Sequence, residues 1–201
     1  MTGEIATYGD GPDGLPAGRL PLLDDDAARS AAERMGIDPA YLAQPVWRVL
    51  LRRPKLARAV YDVLTDLLFR SRLEARLREM LILRIGWTTG SVFEWSQHWK
   101  IATAAGVSPD DLLGVRRPEP GGDRPERDRA ALAAVDDVVT GGAVSRATWD
   151  RLGDHFDDDE RLEITAIATT WTWISSLLRS LDVPLDEGMA PWPPDGLGPG
   201  R

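Results

Sequence analysis

The chain has 201 residues, with 32 acidic against 24 basic side chains and a formal net charge of -8 at pH 7. With 43% hydrophobic and 28% charged residues it reads as a soluble globular protein, and its charge repels nucleic acid and anionic membrane surfaces, so neither is expected as a partner. It contains no cysteine, which excludes disulfides, thiolate nucleophiles, iron–sulfur clusters and cysteine-ligated zinc, and fits a cytoplasmic location.

Residues 1–19 are rich in Gly, Pro and Asp and lack the basic and apolar regions of a signal peptide. They are expected to form a flexible N-terminal tail ahead of one helical domain over 20–186. Asp38-Pro39 opens a short helix, Pro45 another, and Pro54 a longer one to about Phe69, with Leu56, Val60, Val63, Leu64 and Leu67 on one face. Ser71 and Glu74 have capping-box spacing and predict a helix to about Trp87, broken by Thr88-Thr89-Gly90. The next helix runs from about Ser91 to Ala105, where Gly106 closes it. Ser108-Pro109-Asp110-Asp111 supplies an N-cap, a first-turn Pro and first-turn acids for a short helix.

Pro118 to Pro125 reads as a surface loop between two helical groups. Helices follow at about 126–140, at 146–153 behind Ser145, and from about Asp158 to Leu181. The apolar stretch Ile164 to Leu178 is too short and too interrupted by Thr and Ser to span a membrane. Residues 187–201 form a Pro/Gly-rich C-terminal tail in which Trp192 is unusual for a free segment. Strand alternation is almost absent, so the fold class is all-α, a single-domain bundle of about six to eight helices.

Two histidines are present. His155 falls in an interhelical loop and reads as a surface residue. His98 is mid-helix, four residues after Glu94, so the two share a face with Ser91 one turn earlier, while Val92, Trp95 and Trp99 occupy the adjoining stripe. A carboxylate beside an imidazole orients the ring and raises its basicity, which suits proton transfer near neutral pH. The preceding helix is apolar nearly all round from Met80 onward, yet carries Glu79 and Arg84. A buried charge must be paired or used; the plain structural outcome is a Glu79–Arg84 ion pair.

The stretch Leu77 to Gly106, LREMLILRIGWTTGSVFEWSQHWKIATAAG, resembles the signature of the carboxymuconolactone decarboxylase / alkylhydroperoxidase D-like superfamily, and weaker resemblance extends from about Leu20 to Leu185. The resemblance places Glu79, Glu94, Trp95 and His98 together, and implies the helical bundle of the alkylhydroperoxidase D-like type. In the peroxidase-like branch a Glu, two cysteines and a His form the site; by spacing, Ser91 and Glu94 stand where the cysteines would be. Thiol–disulfide chemistry is therefore absent here. Glu94 resembles the decarboxylase branch, with Phe93 where a Tyr is common.

That branch implies a lyase or isomerase acting on a small lactone or keto/carboxylic acid without a cofactor or metal. His98, Glu94 and Glu79 would be catalytic. Arg84 (or Arg78) would hold a carboxylate, with Ser91, Trp87 and Trp95 as further substrate-binding residues. The resemblance also implies a homo-oligomer, trimer or hexamer. Two alternatives stand beside this reading: a non-catalytic oligomeric binding protein derived from the family, and a metal-dependent hydrolase using Glu79, Glu94 and His98.

Overall fold

The computed structural model describes residues 18–117 and 124–200. The segment expected to be an N-terminal tail lies outside them over 1–17, as does most of the expected Pro118–Pro125 loop. Among the described residues the chain forms nine α-helices and one short 3₁₀ turn, with no strand. The all-helical class holds; the number of helices exceeds the six to eight expected because several are two turns or less. No helix among these residues is long and apolar enough to cross a membrane.

The described chain divides into two compact units. The first takes residues up to Leu64 and Leu178–Met189. It holds α1 (Asp25–Met35), the 3₁₀ turn Pro39–Ala43, α2 (Pro45–Leu50) and the start of α3 (Pro54–Phe69). Helix α1 had no counterpart in the sequence reading: its buried stripe is Ala28, Ala31 and Ala32, too weakly apolar to announce an amphipathic helix. Its ends are nonetheless well specified. Asp24 accepts from the Ala27 N–H at 2.8 Å, and Gly36 closes it in the left-handed conformation at φ 64°. Tyr41, Trp47 and Tyr61 pack edge to face, with ring centres 5.3–5.7 Å apart. On α3 only Ala57 and Val60 are buried; Leu56 and Val63, expected on the covered face, are about half exposed.

The second unit takes Thr65–Leu177 and the segment from Ala190. Its axis is α4 (Ala75–Thr89), with Leu77, Met80, Leu81, Ile82, Leu83 and Ile85 wholly buried. Gly90 at φ 70° ends α4 and reverses the chain into α5 (Val92–Ala104), so the two helices form an antiparallel hairpin. They cross closely at Gly86, where a Cβ would lie 3.0 Å from the Trp95 backbone nitrogen. Helix α6 (Pro109–Gly114) follows, capped by Ser108 as expected, and α7 (Glu126–Gly141) lays Ala130, Ala131 and Ala134 against the α4 side. Helices α8 (Arg146–Gly153), capped by Ser145, and α9 (Asp158–Leu181) complete the elements.

The capping box proposed at Ser71–Glu74 does not form. The Ser71 hydroxyl accepts from the Leu73 N–H at 3.1 Å, a local turn that competes with helix, and α4 begins at Ala75. The Arg72 N–H donates to Glu163 at 2.9 Å, and its guanidinium pairs with Asp157 and Asp159. These contacts tie the start of α4 to the start of α9.

Candidate active site

Helix α4 presents Glu79, α5 presents His98 and Glu94, and α9 presents Trp171. Glu79 Oε2 lies 2.8 Å from His98 Nδ1, and Glu94 Oε2 lies 3.6 Å from Nε2. The Trp171 indole N–H donates to Nε2 at 3.2 Å, its ring edge-on to the imidazole. Glu79 has no exposed surface, and Glu94 and His98 have 5% each. The ring is thus held at both nitrogens, between two acids from successive helices.

Burial alone would raise the Glu79 carboxyl. The His98 charge and hydrogen bond, then Arg78, outweigh it and hold Glu79 below its ordinary value of 4.5. Burial would likewise lower His98, but Glu79 and then Glu94 raise the ring above 6.5. Glu94 is pushed up by burial, which the His98 charge and the Trp171 hydrogen bond only partly offset. One carboxylate is therefore kept ionised and the other drawn toward its neutral form, the division of roles expected of an acid–base site. Two proton arrangements are compatible with the contacts. A neutral ring donates from Nδ1 to Glu79 and accepts from Trp171. An imidazolium turns Nε2–H toward Glu94, and Trp171 then donates to the Glu94 carboxylate.

The cation at the site is Arg78, whose Nε donates to Glu79 Oε1 at 3.2 Å. Arg84, expected to bind substrate, is engaged elsewhere. It makes a two-pronged ion pair with Asp136 of α7 at 2.6 and 3.0 Å, and donates to the carbonyls of Val115 and Arg117. The expected Glu79–Arg84 pair is replaced by Glu79–Arg78 and Arg84–Asp136, because residues five apart point to well-separated sides of a helix.

Ser91 is buried one turn before Glu94, and its hydroxyl has no partner. Trp87 and Trp95, expected at the substrate, pack against each other with tilted rings, centres 5.3 Å apart, in a different cluster. Trp99 stacks on Trp95, and the Arg116 guanidinium lies 4.6 Å from the rings of both Trp87 and Trp95. The C-terminal segment covers this cluster. Trp192 meets Trp87 edge-on, and its backbone N–H donates to the Ser96 hydroxyl at 3.2 Å. The Trp95 indole donates to the Pro193 carbonyl at 2.8 Å, and Arg116 pairs with Asp195 at 2.7 Å. A segment read as a tail is thus laid on its own chain.

Trp171 was not singled out as a site residue. The periodic stripe Ile164, Ile167, Ala168, Trp171, Ile174 distinguishes it from Trp173, which is half exposed. The metal alternative requires the ring and both acids to converge on one ion. The acids instead face opposite ring nitrogens, and no group of three His, Asp or Glu among the described residues is placed to hold a metal.

Residues 54–137 match the carboxymuconolactone decarboxylase family. The superfamily resemblance read from Leu77 to Gly106 holds, and solved structures carry the same fold over most of their length. An alkylhydroperoxidase AhpD core protein of Ralstonia eutropha JMP134, described as peroxidase-related, is 20% identical with a TM-score of 0.70, covering 86% of this chain and 94% of its own. A peroxidase-related protein of Silicibacter sp. TM1040 is 14% identical with a TM-score of 0.67, covering 93% and 97%. The debrominase Bmp8 is 18% identical with a TM-score of 0.67, covering 83% and 91%. Among curated proteins, none is similar enough in sequence to match. At these identities the structural likeness speaks for the fold alone.

Proposed function

We propose that the protein is a cofactor-independent lyase or isomerase that moves a proton on a small lactone or keto/carboxylic acid. The observation that carries this reading is the imidazole of His98 suspended between Glu79 at 2.8 Å and Glu94 at 3.6 Å, shielded from solvent. In a decarboxylation of this kind the carbon–carboxylate bond breaks and its electron pair moves into the adjacent carbonyl. His98 then delivers a proton to carbon as the carbonyl re-forms, and Glu79 stabilises the charged ring. Arg78, beside Glu79, is the side chain suited to attract a substrate carboxylate. The family match supports the general class, and the absence of cysteine leaves the chain no thiol with which to act as a peroxidase.

His98→Gln tests this reading. Turnover across a panel of lactones and β-keto acids is expected to fall by ~10²–10⁴-fold while the helical circular dichroism is retained. Undiminished turnover by the variant would refute the proton-transfer role. The near-complete burial of the trio favours a second reading, in which it is an internal ionic staple of a non-catalytic binding protein. Absence of turnover by the wild type on the whole panel would favour that reading. A cytoplasmic homo-oligomer, trimer or hexamer, belongs to the same proposal. Exposed Leu56, Val63 and Phe69 on α3 support association, which light scattering tests.

A further inference from the structure

Helices α4 and α9 run in the same direction in the second unit. Arg72, just before α4, is tied to Asp159 and Glu163 at the start of α9, and further along both helices Glu79 and Trp171 meet at His98. Helix α5 returns antiparallel to α4, so moving back from His98 along α5 corresponds to moving forward from Trp171 along α9. At about 1.5 Å per residue, Ser175 comes level with Glu94, and Ser91 lies roughly one turn further toward the same end.

Both serines are wholly buried, and neither hydroxyl has a partner. This is unusual within α9, where Thr165, Thr169, Thr172 and Ser176 each donate to the carbonyl four residues earlier. Ser175 forgoes that bond, four residues after Trp171 and so on the same face of α9. A buried hydroxyl left unsatisfied forfeits its hydration with nothing in return, so two of them at the same end of one polar group indicate a site that something else fills.

We propose that Ser91 and Ser175 form a subsite that donates hydrogen bonds to a carbonyl or enolate oxygen of a small neutral or singly charged substrate, on the Glu94 side of the His98 ring. The inference rests on the proton-transfer reading and adds the electron sink that reading requires. As the substrate carbon loses its bond and charge moves to oxygen, two hydroxyls receive that charge, and His98 serves the carbon. Trp171, hydrogen-bonded to His98 one turn before Ser175, adjoins the subsite and reports occupancy through its fluorescence.

The test measures binding of γ-butyrolactone and of acetoacetate to the full chain by tryptophan fluorescence. It uses wild type, Ser91→Ala, Ser175→Ala, Ser176→Ala and His98→Gln. Each of the first two substitutions is expected to weaken binding about tenfold, the loss of one well-made hydrogen bond. Neither should lower the melting temperature, because no internal bond is lost. Ser176→Ala should leave binding unchanged and lower the melting temperature slightly. Absence of saturable binding to wild type, or affinities in Ser91→Ala and Ser175→Ala unchanged from wild type, as for hydroxyls that hold only a water, overturns the subsite. If those two variants weaken binding while His98→Gln turns substrate over normally, the subsite stands and the proton-transfer reading fails. The reverse pattern, with turnover lost in His98→Gln and binding intact in the serine variants, removes the subsite alone.

Discussion

Replacing Glu79 by Gln keeps the size of the side chain and an acceptor for His98 Nδ1, but removes the charge. The bond at 2.8 Å is buried on both sides, so it becomes a neutral–neutral contact in place of a charge-assisted one. The difference between those classes is roughly 1–2 kcal/mol, and the Arg78 contact is weakened with it. For a chain of this size that corresponds to about 2–8 °C in melting temperature. The pH dependence is the sharper test. Glu79 sits below its ordinary value, so its contribution is present above 4.5 and fades as pH falls through its folded value. His98 sits above its ordinary value, so its contribution is full below 6.5 and is lost as pH rises through its folded value. The gap in melting temperature between wild type and Glu79→Gln should therefore be widest between about pH 4.5 and 6.5 and narrow on both sides. Thermal unfolding followed by circular dichroism from pH 4 to 9 measures it. A gap that is flat across this range, or that widens steadily into alkali, would refute the account of the coupled pair.

Glu94→Gln should behave oppositely. A carboxyl raised by burial favours the fold below 4.5 and costs stability as pH rises through its folded value, so the variant should be the more stable form at alkaline pH in the same scans. Asp136→Ala leaves the buried Arg84 without its carboxylate and should cost ~3–5 kcal/mol by urea unfolding, while the histidine NMR titration of His98 stays as in wild type. Gly86→Ala places a Cβ 3.0 Å from the Trp95 backbone nitrogen, which cannot yield as a side chain would; ~1–3 kcal/mol of stability should be lost, read in the same unfolding experiment.

Much of the site was legible because it is local. Glu94 and His98 share a helix face at four-residue spacing, and Glu79 is an acid in an otherwise apolar helix that must find a partner. What could not be read is which cation served which acid. Arg78 and Arg84 both lie close to Glu79 along the chain, but Arg84 points to another side of α4, where Asp136 on α7, more than fifty residues away, takes it. The cap at Ser71 illustrates the converse. Ser71 and Glu74 have the right spacing, but Arg72 is held by the acids opening α9, and that long-range tie fixes a turn where local preference favoured helix. Helix α1 went unread for a third reason: alanine buries well between helices yet contributes little to an apolar pattern.

The manner in which Trp192, Pro193 and Asp195 are seated bears on how the polypeptide is handled at the bench. An expression boundary drawn at residue 186, where composition turns to proline and glycine, would strip the shelter from two indoles and strand the guanidinium of Arg116 above them. Trimming this end for crystallisation would then yield a stickier particle, and a purification handle is better joined after residue 201 than spliced in ahead of Trp192.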